Sequence, residues 1–518
     1  MATEQDIYIM ESSFFSLNTA LERFAAKQPD KTFIASRKNT FSYAEVKQYV
    51  DGLASFFVQT GVIKGDKICL MLPRTPELII TYLAATRIGA LPVPVNYLLP
   101  PQTINAFIDE IEPKVLVANA KLGSILRETG SAVARSVIRI DTDGRLPHWH
   151  DWSRICVASN YSDRGFVQDD RHSVNYLNYT TGSSGKPKAA FSTNQNLYWN
   201  TRSLVEYFNI TEDDIHLCMF GSFAHPHELF VRALYTGGSI VLLQEINPKT
   251  IIKTINAHEI TCIMGLAPMY EAMAEHCSQM SIDSIKIVES GGMYTRQEVN
   301  QKFFKTFGKP ILSVWGSTET NGVALANAPD DYLQDGAMGK PCPYYQVKLM
   351  ENGREVAPGK PGEMFIKGPG VIPGYEGYPP LLDQDGWYAS GDIVRQGENG
   401  FYYFMDRKSG MIKYTGLKIY PLQIELVMLK HPKIIEAAVI GVEDYKKGSA
   451  PKAYIVTLNN ELISSWDIRE FCKDHHLPGY MIPKDVVIVD SLPKIGSGKI
   501  DKKAIAEGMA KGNRNKKQ

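Results

Sequence analysis

Between Gly238 and Thr320 the chain alternates short apolar runs with amphipathic ones. "GSIVLLQ" gives way to "PKTIIKTINAHEI", then "TCIMGLAP", "MYEAMAEHC" and "IKIVESGG", and later "FFKTFG" leads into "ILSVWGSTE". Apolar runs of four to eight residues read as buried strands, and the runs between them repeat at helical spacing. Parallel strands need a crossover connection, usually a helix, so this alternation predicts α/β layers with largely parallel sheets. It also predicts where ligands go, because such sheets bind them at the loops leaving the carboxyl ends of the strands. Three loops follow strand-like runs: "YTTGSSGKPKAAFST" from Tyr179, "ESGGMY" from Glu289 and "WGSTET" from Trp315.

From about Gly339 the texture changes. "YYQVKLMENGREVAPGKPGEMFIKGPG" is short, alternating and turn-rich, which predicts a small antiparallel or β-barrel subdomain over about 339–405. Beyond Arg407 come a helix ("LQIELVMLKH"), two strands ("AAVIGVED", "APKAYIVTL"), a helix ("SSWDIREFCKDH") and a strand ("DVVIVD"). The expected organisation is a large N-terminal α/β domain over 1–408 and a small mobile α+β domain over 409–518, about 110 residues and enough to fold alone. The 518 residues permit such a division.

Composition narrows the partners. A formal net charge of zero argues against a general nucleic-acid or anionic-membrane binder. Seven cysteines without a C-x-x-C pair signal neither a disulfide framework nor a zinc site, and read as small buried residues in a reducing compartment. "MATEQDIYIM" lacks the basic start of a signal peptide, and "LIITYLAATRIGALPVPV" is broken by Arg87, Gly89 and two prolines. The second reads as a buried helix followed by a strand. The expected setting is the cytoplasm.

Gly182 and Gly185 free backbone N–H groups to face an anion, Thr180, Thr181, Ser183 and Ser184 add hydroxyls, and Lys186 and Lys188 add charge. The stretch is not a P-loop: Thr180 stands where the first glycine belongs and Pro187 where the magnesium-binding hydroxyl belongs. A solvated turn between a strand and a helix has the same composition. Four other places carry unusual chemistry. Trp315, Ser317, Thr318 and Glu319 end a strand-like run, offering a stacking ring, hydroxyl donors and a carboxylate for Mg²⁺. Asp392 and Arg407 could form a salt bridge or hold two ribose hydroxyls, Lys499 follows Gly496, Ser497 and Gly498, and His225 and His227 flank an apolar run.

Together these motifs resemble the adenylate-forming superfamily of acyl-CoA synthetases, peptide-synthetase adenylation domains and luciferases. "YTTGSSGKPKAAFST", "ESGGMY", "WGSTE", "YASGD", "FYYFMDRKSGMIKYTGLKIYPLQIE" and "PKIGSGKID" occur in the family's order, and the likeness runs from about Phe15 to Ile505. "GSTE" followed by "LAN" leans toward aryl and short- to medium-chain acid–CoA ligases. The resemblance implies ATP, Mg²⁺ and coenzyme A, with a carboxylic acid joined first to AMP and then to the thiol. It places Thr180, Thr181, Gly182, Ser183, Ser184, Gly185, Lys186 and Lys188 over the outer phosphates. Gly292, Met293 and Tyr294 would line the adenine beside Trp315 and Gly316. Ser317 and Thr318 would lie at the phosphate and Glu319 at Mg²⁺, while Asp392, assisted by Arg407, takes the ribose in place of a salt bridge.

Lys499 matches the catalytic lysine, His225 and Gly291 fall at the acyl pocket, and Gly416 at the mouth of the CoA tunnel. His227 and Glu228 are expected in the helix behind that pocket. Family members rotate the small domain between half-reactions about a hinge that is commonly Asp or Lys; here it is Ser409. No aspartate stands in "GSFAHPHELF" to pair with a substrate ammonium, so an α-amino acid is not expected. Two other functions compete with an acid–CoA ligase: an acyl-AMP ligase loading a carrier protein's phosphopantetheine, and a degenerate, non-catalytic binding protein. Intact Lys499, Glu319, Asp392 and Arg407 argue against the last.

Overall fold

The computed structural model describes residues 16–128, 137–157, 165–167, 170–181, 187–223, 226–331, 336–415, 417–444, 448–494 and 500–508. The chain divides into two compact units, Met1–Val347 with Ile366–Tyr388, and Lys348–Phe365 with Ala389–Gln518.

In the first unit the expected alternation is present. Leu312–Ser317, Ile287–Ser290, Cys262–Gly265, Ile215–Cys218, Ser239–Leu242 and Thr32–Ser36 lie side by side, every neighbouring pair parallel. Helices Pro248–His258, Ala267–His276 and Gln297–Phe307 connect them on one face. Asn247 caps the first of these by accepting from the Thr250 N–H, with Pro248 in the first turn where its missing N–H is not needed. Ile251, Ile252, Ile255, Tyr270, Met273, Val288, Val299 and Phe303 fuse into one core there. A second parallel sheet orders Leu91–Pro94, Lys67–Met71, Val115–Ala118, Ile138–Asp141 and His150–Asp151. The "LIITYLAATR" run is the buried helix Pro76–Arg87, followed by strand Leu91–Pro94. No described helix is long and apolar enough to cross a membrane. All seven cysteine side chains are buried.

The second unit holds most of an antiparallel ladder and one further sheet. Strands Arg354–Glu355, Gln346–Glu351, Pro361–Lys367, Tyr388–Gln396 and Tyr402–Arg407 follow one another in an open ladder. The expected barrel does not close among the described residues. Asn352 and Gly353, both at positive φ, turn the chain back in a two-residue hairpin, and the short charged strand after them is exposed at the edge. The second sheet runs Leu417–Ile419, Ile412–Tyr414, Gly448–Thr457 and Ile434–Asp444, with Asp485–Ile488 parallel to Gly448–Thr457. Helices Pro421–Met428 and Ser465–Asp474 pack Ile424, Met428, Ile468 and Cys472 on it, and Ser464 and Asp467 close a capping box on the latter helix.

Candidate active site

The glycine-rich motif begins and ends in two paired strands. Val174–Thr181 and Pro187–Thr193 are antiparallel, with Thr180 opposite Lys188 and Thr181 opposite Pro187. A P-loop leads from a strand into a helix, and so does the bland turn weighed against it; this stretch joins two strands and fits neither. Gly182, Ser183, Ser184, Gly185 and Lys186 lie outside the described residues, as do the side chains of Thr180 and Thr181. Lys188 is described. Its ammonium stands 4.5 Å from the ring centre of Tyr378 and 5.9 Å from that of Tyr375. Tyr375 belongs to a short strand paired with Pro187–Thr193, and its hydroxyl donates to Glu319 Oε1. The Ile372 N–H donates to the Glu319 carbonyl at 2.9 Å. One tyrosine therefore gathers the hairpin's lysine and the candidate metal ligand.

The other two loops leave the main sheet side by side, because Ser290 pairs with Ser313 in parallel register. Met293, Tyr294, Trp315, Ser317, Thr318 and Glu319 are half-buried along this crest. Gly291 packs tightly, since a Cβ there would come within 2.9 Å of Val314 Cγ2. Gly292 turns at a φ of +77°. Gly316 is dictated by crowding: a Cβ would meet the Gly322 carbonyl oxygen at 2.3 Å. Ser317 and Thr320 close the turn between these glycines. The Ser317 N–H donates to Thr320 Oγ1 at 2.9 Å, and the Thr320 N–H to Ser317 Oγ at 3.3 Å. Among the described residues no three His, Cys, Asp or Glu side chains converge as a metal cage. Glu319 alone still fits Mg²⁺, which keeps waters and takes one or two carboxylates together with substrate phosphates.

Sequence reasoning missed the support beneath this turn. Asn321 holds a φ of +56°, and its N–H donates to the Thr318 carbonyl at 3.1 Å. His227, buried in the turn Pro226–Leu229, places Nε2 3.1 Å from the Asn321 carbonyl and Nδ1 3.0 Å from the Tyr176 hydroxyl. A carbonyl only accepts, so Nε2 carries the proton and Nδ1 accepts from Tyr176. The Tyr176 oxygen is also 3.1 Å from the Asn321 side-chain amide. One phenolic proton serves one acceptor, so the ring closes when that amide presents its nitrogen to the phenol. His227 is thus a structural link from the hairpin's first strand to the Thr318–Glu319 turn. His225 lies outside the described residues.

A buried ionic cluster lies behind the same turn. Arg232 Nη1 donates to Glu289 Oε1 at 2.5 Å, and Glu228 reaches Gly322, whose absent Cβ would come within 2.9 Å of Glu228 Oε1. Burial pushes both carboxyls up, with Arg232 opposing. His216, on the same face of the sheet, is held down to about 3 by burial and then by the Arg232 charge, with Asp214 opposing. A lowered imidazole keeps the folded state from taking a proton that the unfolded chain accepts below its ordinary value of 6.5. Stability from this group is therefore present above pH 6.5 and is lost as pH falls toward 3. At about 1.4 kcal/mol per unit, His216→Leu is expected to remove about 3 kcal/mol of the stability difference between pH 7 and pH 4. Urea denaturation at the two pH values measures it; an unchanged difference would refute the buried neutral imidazole. The signal was in the sequence: Glu289 interrupts an apolar strand run, and Glu228 and Arg232 interrupt "HELFVRAL".

In the second unit, antiparallel register sets Asp392 opposite Arg407. The salt bridge that the ribose role was expected to displace is present, with Arg407 Nε 2.7 Å from Asp392 Oδ1. Asp392 is 1% exposed while the Arg407 side chain is 60% exposed. The Asp392 N–H donates to Ser390 Oγ at 3.1 Å within strand Tyr388–Gln396, where Gly391 takes a φ of +73° in place of the expected turn. Ser409 is exposed in the turn after Arg407. Just before it, Asp406 accepts from the Arg407 N–H at 2.7 Å and from the Leu422 N–H at 3.0 Å. Gly416 and Lys499 lie outside the described residues. The residues around Lys499 are anchored: Lys494 bridges Ile500, Asp501 caps Lys502–Ala506, and Lys502 reaches the buried Glu425 at 2.8 Å.

Comparison with known proteins gives the family. The AMP-binding enzyme family matches residues 21–376, and the AMP-binding enzyme C-terminal domain matches 423–499. Feruloyl-CoA synthase of an Amycolatopsis species is 29% identical over 92% of this chain and 96% of its own length. The long-chain-fatty-acid–CoA ligase of Bacillus subtilis is 27% identical over 95% of this chain and 94% of its own. O-succinylbenzoate coenzyme A synthetase from Bacillus subtilis, solved with ATP and magnesium ion, superposes with a TM-score of 0.82 at 25% identity, covering 93% of this chain and 98% of that one. ATP-bound MatB from Rhodopseudomonas palustris shares the fold, with a TM-score of 0.85 at 24% identity over 96% of this chain and 99% of its own. With the first family model alone spanning well over half of its length, the chain belongs to the AMP-binding enzyme family.

Proposed function

We propose that this protein is an AMP-forming acid–CoA ligase, joining a carboxylic acid to AMP with release of pyrophosphate and then passing the acyl group to coenzyme A. The observation that carries the reading is the meeting of Lys188 and Glu319 at Tyr375, which brings a phosphate-binding hairpin to a metal-binding carboxylate. Mg²⁺ supplies charge neutralisation on the phosphates when bound; Glu319 is the residue that holds it. Residues 180–188 close over the outer phosphates, and Gly292, Met293, Tyr294, Trp315 and Gly316 form the adenine wall. Thr318 reaches the α-phosphate, with Ser317 keeping its turn in shape. Asp392 takes the ribose hydroxyls with Arg407 beside it. His225 and Gly291 border the acid.

Lys499 supplies the ammonium between the attacking carboxylate and the α-phosphate. Domain reorientation about Ser409, followed by thiol entry past Gly416, completes the second step, in the cytoplasm that supplies ATP and CoA. Free CoA is the proposed acceptor. Purified protein, ATP, Mg²⁺ and an acid panel are offered either CoA or a phosphopantetheinylated carrier protein, and thioester is read by mass spectrometry. Thioester on CoA is the expected result; thioester on the carrier alone overturns the choice of acceptor.

A further inference from the structure

One side chain ties the two parallel sheets of the first unit together at their carboxyl ends. Arg74 lies in the loop between strand Lys67–Met71 and helix Pro76–Arg87. Its Nε donates to the Leu243 carbonyl at 2.7 Å and its Nη2 to the Gln244 carbonyl at 3.1 Å. Nη1 donates to the Met219 and Phe220 carbonyls at 3.3 and 2.7 Å. These carbonyls follow strands Ser239–Leu242 and Ile215–Cys218, which are parallel neighbours in the main sheet. Ser222 answers from the other side, its Oγ donating to the Leu72 carbonyl at 2.7 Å. The 219–222 loop is therefore fastened twice to the second sheet. A guanidinium spreads its donors over a rigid fork, whereas an ammonium offers a single point.

The fastened loop stands in the same row as the candidate site. Ile215–Cys218, Cys262–Gly265, Ile287–Ser290 and Leu312–Ser317 are successive parallel strands, so the loops leaving their carboxyl ends lie side by side. The Met219 N–H donates to the Met264 carbonyl at 2.8 Å, and the Gly291 N–H to the Gly265 carbonyl at 3.2 Å. The half-buried Phe220 ring spans this row, because a Cβ on Gly291 would lie 3.7 Å from Phe220 Cζ. We propose that Arg74 is a positioning residue for the acid. By holding the Met219 and Phe220 carbonyls it fixes the Phe220 ring beside Gly291, and that ring sets where the acid lies when its carboxylate attacks ATP. The inference rests on the acid-activating function proposed above, in which Gly291 borders the acid.

The test is ATP–pyrophosphate exchange by the full chain, with a panel of straight-chain alkanoates and arylalkanoates and the acid that the wild type uses fastest. Arg74→Met, Arg74→Lys and Phe220→Leu are compared for kcat/KM toward that acid and for KM toward ATP, with thermal melts to show folding. Both Arg74 variants are expected to lose about 10- to 10²-fold in kcat/KM for the acid, since a slightly misplaced substrate loses that much. KM for ATP is expected to stay within about twofold, a split that general loosening of the fold would not give. Lysine keeps the charge without the fork, so Arg74→Lys is expected to recover no more than about threefold over Arg74→Met. Phe220→Leu is expected to show the same selective loss, and Arg74→Met/Phe220→Leu to add no more than about threefold to the larger single loss, because both act through one ring. Equal losses toward acid and ATP, unchanged acid kinetics in folded variants, or full additivity in the double variant overturns the inference and leaves acid activation standing. Failure of both Arg74 variants to fold also overturns it, since the residue would then serve the fold alone. A wild type that exchanges with no acid of the panel overturns both readings.

Discussion

Lys499→Ala is expected to lower acid-dependent ATP–pyrophosphate exchange by about 10²–10³, the loss typical of removing one preorganised donor from a transition-state oxyanion. The reason is charge. The acid's carboxylate must approach a phosphorus already ringed by negative oxygens. Two like charges about 4 Å apart repel by roughly 4 kcal/mol at an effective dielectric of 20. An ammonium between them cancels that repulsion and meets the extra charge that develops on the transferring phosphoryl. Thioester formation from supplied acyl-AMP has no such encounter and is expected to survive. The anchored surroundings of Lys499, with Asp501 capping a helix and Lys502 on Glu425, allow its side chain to be removed without unfolding the domain. Equal loss in both half-reactions would show that Lys499 acts on something other than the attack on phosphorus.

Glu319→Gln is the second large effect, expected to lower exchange by about 10² and to raise the Mg²⁺ concentration giving half-maximal rate. Glutamine keeps the side chain's shape, and its carbonyl oxygen still accepts from the Tyr375 hydroxyl. It loses the negative charge, the property a hard cation selects. Tyr375→Phe separates holding from orienting: the carboxylate stays charged but loses its donor, so a shift of about tenfold or less is expected. A Glu319→Gln enzyme with an ordinary Mg²⁺ requirement would remove the carboxylate from the metal.

The parallel sheets and their loop crests were legible because strand and helix periods differ and both are written in the positions of Ile, Val and Leu. The hairpin under the first motif was not. "YTTGSSGKPKAAFST" has no Asn-Gly or Asp-Gly turn signal, and the same glycines serve a strand-to-helix turn equally well. Tyr375 was missed for a different reason. It stands more than fifty residues from Glu319 in sequence, and only the pairing of its short strand with Pro187–Thr193 brings it there. The barrel expectation failed on a local feature that was readable, the "ENGRE" hairpin, which ends a sheet with a charged edge. The salt bridge between Asp392 and Arg407 follows from cross-strand register, which spacing alone does not set.

Acyl-AMP is expected to form beside Lys188, Tyr375 and Glu319 before any thiol takes part. The most direct test is the entry of labelled pyrophosphate into ATP, with an acid from the panel present and CoA left out. Label is expected in ATP and is expected to depend on both the acid and Mg²⁺. Label that enters only once CoA is added would contradict this, because the acid would then not be activated as a free-standing adenylate.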